Sequence, residues 1–350
     1  MSQIPVETHS RRSYQVSTLM TLGDGYRTIH HGAALGAVAP RLQIAVAGQD
    51  RAAYLQGLLT NDIQSLAPGT GCYSAWLSPQ GRMLTDMHVL ESGGMILLDV
   101  PAAALEATIQ RLEQFIFTED VRVGSLAESL GGVWLHGPNA AAVLERVIEG
   151  ARGLGEWQDY RHTQFEFGHV PVSVVRISQL GVPGFCVYVE RAQMAALAVA
   201  LTDAGAAAVP DEAIAAARIE AGYPVFGVDM TEDTIPLEAG IEQRAISFTK
   251  GCYVGQEVII RVLHRGHGRI VKKLVLLRIN GERPEHGAQL YSGERAVGTV
   301  TSVAESPRSG ALALGYVHRD FFSPGTELEV AVPSGRAPAT VAEIAIPSTV

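Results

Sequence analysis

The sequence predicts an α+β protein of two or three domains that ends in a small β-barrel. Three observations carry this. The chain has 350 residues, more than a single core usually serves. Up to about residue 270, strand-like and helix-like runs mix without strict β–α–β alternation, which favours α+β packing over a doubly wound sheet. After about residue 272 only short apolar runs remain, separated by Gly, Pro and Ser, as in an all-β module. The expected division is therefore 1–270, holding two intertwined mixed lobes, and 271–350, holding the barrel.

The elements follow in order. "RLQIAVAG" (41–48) alternates Leu42, Ile44 and Val46 on one face and reads as a strand. Asp50 then stands at an N-cap position, and Tyr54, Leu55, Leu58 and Leu59 follow at helical spacing until "TND". "GRMLTDMHVL" and "MILLDV" read as adjacent strands turned by "ESGG". Pro101 opens a helix whose buried stripe is Leu105, Ile109, Leu112 and Ile116. "GPNAAAVLERVIEG" (137–150) reads as a helix capped by Asn139 and stopped at Gly150. Strands at about 170–177 and 185–189 follow. A helix through Met194, Leu197 and Leu201 ends at Gly205, and an Ala-rich helix spans 211–221 with Arg218 and Glu220 near its end. "KKLVLLRI", "AVGTVTSV", "ALALGYV", "TELEVAV" and "ATVAEIA" are the barrel strands.

Composition removes several classes. Apolar residues are 47% and charged residues 18% of the chain, which suits a packed globule rather than disorder. A net charge of −9 argues against a general nucleic-acid binder, so no direct nucleic-acid partner is expected. The cysteines Cys72, Cys186 and Cys252 are scattered and form no CxxC pair. That fits a reducing cytosol and leaves no thiolate cluster or zinc set within one chain. The histidines show no HExxH spacing, and no metal is assigned. No run approaches the ~18 apolar residues of a membrane span. "SRRSYQVSTLM" carries paired arginines, but Asp24, Arg27, His30 and His31 interrupt any apolar export region, so it reads as a poorly ordered lead-in.

"FTKGCYVGQE" (248–257) holds the sharpest chemical signal. If "GQEVIIRVL" is a helix, the Cys252 thiol precedes its N-terminus, where the dipole and Lys250 favour a thiolate. The alternative is a small buried hydrophobe, the usual state of a free cysteine. Glu257 and Arg261 are spaced to pair on one helix face. The basic run Arg261, His264, Arg265, His267, Arg269, Lys272 and Lys273 is either an anion-binding stripe or a solvated linker into the barrel. In "CYSAWLSPQGRMLTDMHVL" the candidates are Tyr73, Arg82 and Asp86. Asp86 shares its parity with Leu84 and Leu90 in an apolar strand, where a lone carboxylate needs a partner or a function.

These residues resemble a known family. "YLQGLLTNDI", "ARIEAGYPVFGVDM" with "PLEAG", and "KGCYVGQE" are similar to signatures of the folate-binding YgfZ proteins, relatives of the glycine-cleavage T-protein (aminomethyltransferase). The resemblance runs from about residue 30 to the C-terminus. It implies a three-lobed cloverleaf around a hole for tetrahydrofolate, with a β-barrel as the last lobe. It implies support of iron–sulfur cluster assembly or repair in client enzymes, including radical enzymes that modify tRNA. It marks Lys250, Gly251, Cys252, Tyr253, Gly255, Gln256 and Glu257 as the branch motif. Tyr73 and Asp86 look like the positions set against the folate; Glu220 and Lys250 complete the expected folate contacts. Cys252 and Asp86 are the residues expected to carry any chemistry. Two departures weaken glycine-cleavage chemistry. "GFC" puts Cys186 where T-proteins carry a pterin-binding glutamate, and Ile214 stands where an arginine holds the glutamyl tail. The expected function is thus a cytoplasmic folate-binding accessory protein. The alternative is a folate-dependent aminomethyl or one-carbon transferase in which Asp86 handles the proton.

Overall fold

The computed structural model describes residues 20–265 and 270–343. The lead-in at 10–19, His267 and Arg269, and the side chains of His264 and Arg265 lie outside what is described.

Three sheets organise the chain, one per lobe. The first lobe is a five-stranded antiparallel sheet in the order Thr70–Leu77, Met83–Glu91, Met95–Pro101, Arg41–Ala47, Arg122–Ser125. Helices Arg51–Leu58 and Leu105–Glu113 cover one face, burying Leu55, Leu58, Leu105 and Leu112 against Ile44, Trp76 and Met87. The second lobe is a six-stranded sheet in the order Ala207–Ala208, Ala34–Leu35, Leu130–His136, Gly184–Glu190, Val170–Arg176, His162–Phe167, with a single parallel pair at one edge. Helices Ala140–Val147 and Met194–Asp203 cover its outer face with Val143, Leu144, Leu197 and Leu201. The uncovered faces of the two sheets pack on each other through Leu90 and Leu97 from one side and Trp134, Val175 and Tyr188 from the other.

The third lobe is a closed six-stranded barrel: Lys272–Ile279, Gly310–His318, Arg295–Ser306, Gln289–Ser292, Glu327–Val332, Gly335–Ala342. Val275, Leu277, Leu290, Val300 and Val330 alternate into its interior. Closure removes the unpaired strand edge an open sheet would expose.

The helix Asp211–Glu220 joins the lobes because both its faces are apolar. Ile214 and Ala217 pack on Ile29 of the helix Leu22–His31, while Ala216 and Ile219 pack on Leu274 and Leu312 of the barrel. Its buried Arg218 donates to Tyr223 O, Asp229 Oδ2 and Ser302 Oγ, each at 2.8 Å. A fully hydrogen-bonded buried charge is tolerated; an unpaired one is not.

Several expected boundaries move. Pro101 ends a strand instead of opening the helix, which starts at Leu105 after a 3-10 turn. Asp50 stands before its helix but caps nothing; its carboxylate accepts the Asp120 N–H at 2.8 Å, because the 118–121 loop crosses there. Asn139 likewise makes no side-chain cap. "GQEVIIRVL" forms only a five-residue α-helix, Gln256–Ile260, which widens into a π turn at Arg261–Arg265. The Arg261 N–H still donates to Glu257 O at the helix end, yet no Glu257–Arg261 ion pair forms among the described residues.

Candidate functional site

Between the two mixed lobes lies a cavity of about 810 Å³. Its walls come from Gly71–Tyr73, from the 155–160 segment, from Ser178 and Gln179, from the turn Ala221–Tyr223, and from Gln243 and Arg244. Arg244 sits on the short helix Glu242–Ala245, which Gly240 sets off from the helix Pro236–Ala239 with a left-handed φ of 70°. Its guanidinium carbon stands 4.3 Å from the Tyr223 ring centre and 5.3 Å from that of Tyr73. No carboxylate pairs with it among the described residues. Burial opposes its charge, but the phenols of Tyr223, Tyr73 and Tyr160 more than offset this, and the guanidinium stays above its ordinary range.

Asn61 explains how distant segments converge. Its amide nitrogen donates to Tyr73 O at 2.8 Å and to Arg244 O at 3.1 Å, and the Thr60 hydroxyl donates to Ala245 O at 2.6 Å. The "TND" that ends the first-lobe helix thus pins the arginine-bearing helix to the tyrosine-bearing strand.

Behind the wall is a buried polar chain. The Tyr73 hydroxyl donates to Asp86 Oδ2 at 2.6 Å; Arg41 reaches Asp86 Oδ1 at 3.3 Å and Asp99 Oδ2 at 2.9 Å; Gln43 donates to Asp99 Oδ1 at 2.8 Å. Burial, then the Asp86 charge, holds the Tyr73 phenol well above 10, so it remains a proton donor. His88 is packed among Tyr73, Tyr160 and Trp134, and burial followed by the Arg41 charge pushes its pKa well below 6.5.

The predicted residues separate into three places. Tyr73 lines the cavity. Asp86 is only 2% exposed and stands one side chain behind it, answered by Tyr73 and Arg41; a direct contact with a cavity ligand is corrected to an indirect one. Glu220 is elsewhere: it accepts from Tyr26 at 2.6 Å, from Arg308 at 3.1 Å and from Ser306, joining the first helix to the barrel. The folate contact expected of Glu220 is corrected on this ground, since its oxygens are already occupied at a lobe junction. Ile214 is core, and Cys186 is fully buried inside its sheet, its thiol driven far up by burial. Cys72, on the cavity wall, is pushed up to about 12 by burial.

The 248–257 loop lies outside the cavity lining. The Lys250 ammonium donates to Gln56 O, Leu59 O and Asn61 O at 2.7, 2.7 and 2.8 Å, closing the end of the first-lobe helix. Burial draws its pKa down to about 8, so the amine is still charged at neutral pH. Lys250 is therefore a structural clamp, not a cavity ligand. Gly255 has φ 85°, and a Cβ there would come 2.5 Å from Ser78 O, so only glycine lets the loop seat on the hairpin. Tyr253 is buried; Gly251, Cys252 and Glu257 are exposed, and Gln256 begins the short helix. The buried-hydrophobe reading of Cys252 is thereby overturned. The helix expected to activate it has five residues, and the Lys250 charge is committed to carbonyls. Of the basic run, Lys272 and Lys273 lie over the barrel rings of Tyr316 and Phe322. Arg82 pairs with Asp233 at the surface, 2.9 Å away.

Sequence reasoning missed Arg244, Tyr160, Tyr223 and Asn61. Arg244 follows Glu242 and Gln243 in "IEQRAISF", so polar neighbours hide it.

Known proteins agree with this architecture. Residues 12–250 match the GCVT N-terminal domain, and residues 272–345 match the glycine cleavage T-protein C-terminal barrel domain. An aminomethyltransferase of Rubrobacter xylanophilus is 31% identical over 277 residues, 79% of this chain and 73% of that protein. One from Thermosynechococcus vestitus is 30% identical over 301 residues, 85% of this chain and 80% of that protein. The crystal structure of glycine cleavage system aminomethyltransferase T from Bartonella henselae superposes with a TM-score of 0.83 at 24% identity, over 94% of this chain and 90% of that one, and shows the same fold. With both domains matched in order over most of its length, the chain belongs to the glycine cleavage T-protein family.

Proposed function

We propose that the cavity binds a reduced folate and that the protein is a folate-dependent one-carbon transferase, of the aminomethyltransferase kind for which its relatives are named. The observation that carries this reading is Arg244, a guanidinium without a carboxylate, held between tyrosine faces in a cavity of ligand size. A flat ligand with an anionic tail fits both features: rings against Tyr73 and Tyr223, a carboxylate on the cation. When bound, the reduced folate supplies the amine that accepts the one-carbon unit. The chain does the rest. Asn61 fixes the spacing of Tyr73 and Arg244. Asp86 fixes the Tyr73 hydroxyl and takes up proton density only through it, because its own oxygens do not reach the cavity.

Titration calorimetry tests the binding. Tetrahydrofolate should bind saturably, and Arg244→Met should weaken it about 10- to 100-fold, the loss of a charge-assisted pair. Tetrahydropterin, which lacks the carboxylate tail, should not respond to that substitution. Absence of heat with tetrahydrofolate would end the proposal. Transfer is tested separately, by methylene-folate formation from an aminomethylated lipoyl carrier. Folate binding without any turnover would remove the transferase step.

A second reading rests on a different observation: the exposed Cys252 thiol, carried on a rigidly seated loop away from the cavity. It is the accessory role in iron–sulfur cluster assembly or repair for client enzymes, tRNA-modifying radical enzymes among them, as in the YgfZ branch. In cells lacking the protein, Cys252→Ser should then fail to restore cluster-dependent activities. Full restoration rejects this reading.

A further inference from the structure

We propose that Asp159 is a specificity-determining residue of the cavity, reading a paired N–H edge of the ligand. On the folate reading, which this inference deepens, that edge is the amino-pyrimidine face of the reduced pterin.

Two carboxylates line the cavity: Glu156 at its exposed rim and Asp159, which is withdrawn. The Asp159 side chain is 21% exposed. Its Oδ1 accepts the Ser178 hydroxyl at 2.8 Å and faces Arg176 Nε at 3.6 Å, beyond hydrogen-bond reach. Its Oδ2 has no hydrogen-bond partner among the described residues. An ionised carboxylate offers about four acceptor sites; here the Ser178 hydroxyl fills one, the Ser178 N–H and the Arg176 ion pair also draw on the group, and Oδ2 keeps acceptor capacity toward the cavity. Burial accordingly lifts its carboxyl above the usual range, against the opposing pulls of Ser178 and Arg176. A ligand donating two parallel N–H groups would complete the set.

The backbone supports the same conclusion. Tyr160, next in the chain, is a non-glycine residue at φ 68°, a conformation kept where the surroundings impose it. Here the Tyr160 N–H donates to Arg176 O at 2.7 Å, and Arg176 donates to Gly155 O at 2.8 Å. These bonds tie both ends of the segment to the strand Val170–Arg176 and turn Asp159 and Tyr160 into the cavity. Arg244 shares the cavity but forms no ion pair with Asp159. An anionic carboxylate and a donor edge on one ligand would thus meet two separate, opposite charges.

The experiment compares three ligands by calorimetry: tetrahydrofolate, its 2-desamino analogue, and p-aminobenzoylglutamate, the tail alone. The wild type should prefer tetrahydrofolate over the desamino analogue by about 10- to 100-fold. Asp159→Asn should bind both about equally, losing that factor for tetrahydrofolate, with the tail fragment unchanged. If the wild type binds no reduced folate, the folate reading fails and this inference with it. If the wild type binds and Asp159→Asn keeps both affinity and preference, this inference alone is overturned. Should Asp159→Asn not fold, Ser178→Ala decides. It frees the carboxylate to rotate and should cost about 3- to 10-fold for tetrahydrofolate only; unchanged affinity and preference would overturn the assignment.

Discussion

The cavity wall and the Lys250–Glu257 loop both rest on the first lobe, yet they treat polar groups in opposite ways. In the loop, three ammonium bonds, a glycine pressed on Ser78 O and a buried Tyr253 bind the chain back into the protein and leave the thiol outside. At the cavity, a guanidinium and a carboxylate oxygen stay open. The first arrangement stabilises; the second waits for a ligand. A conspicuous motif is therefore not by itself a binding site, and the inconspicuous arginine is the better guide to the ligand.

The comparison can be broken most decisively at Lys250. Lys250→Met removes three charge-assisted bonds and leaves three carbonyls at a helix end, a loss on the order of 4 kcal/mol in urea unfolding. A loss below about 1 kcal/mol would mean that water serves those carbonyls and the loop is not closed.

Acid should act on two buried imidazoles. Burial holds His136 at about 4 and keeps His88 well below 6.5, both neutral in the folded state. The unfolded imidazoles take up protons near 6.5, so the unfolded state binds more protons as the pH falls below that value. Stability is then lost progressively between 6.5 and 4, by roughly 3 kcal/mol from His136 alone. Unfolding at pH 7, 5.5 and 4.5 measures the slope, and His136→Gln should flatten it. A wild-type slope no steeper than that of the variant would refute the buried neutral imidazole.

The smallest expected effect sharpens the contrast. Cys252→Ser, at an exposed position, should change stability by less than about 0.5 kcal/mol and leave tetrahydrofolate affinity unaltered. A shift in Kd beyond threefold would couple the loop to the cavity.

The sequence made some of this legible for physical reasons. Five of the six barrel strands stand out as apolar runs or alternations, the runs of Lys272–Ile279 and Gly310–His318 reflecting cover on both faces; Gln289–Ser292, four residues with one fully buried side chain, is too short to show a period. Leu130–His136 is covered on both faces and shows no alternation. Asp86 is visible as an acid in an apolar strand, but its partners Tyr73 and Arg41 come from other strands. Arg244 gains meaning only when Tyr73 and Tyr223 meet it from two other parts of the chain. Contacts of this kind leave no local pattern.

The Glu220 junction imposes an order on synthesis. Tyr26 and Ser306 both bond to it, so 280 residues separate the two outer members of that contact. At ~5–20 residues per second on the ribosome, the helix Leu22–His31 waits roughly 15–60 s after its own emergence before the barrel strand that completes its polar anchor exists. Ile29 is covered earlier, once the helix Asp211–Glu220 brings Ile214 and Ala217, but Tyr26 on the same helix lacks its barrel neighbours for the whole interval. Premature release of the chain before residue 306 would leave Tyr26 and the barrel-facing Ala216 and Ile219 of the joining helix uncovered, a substrate for holdase chaperones and proteases.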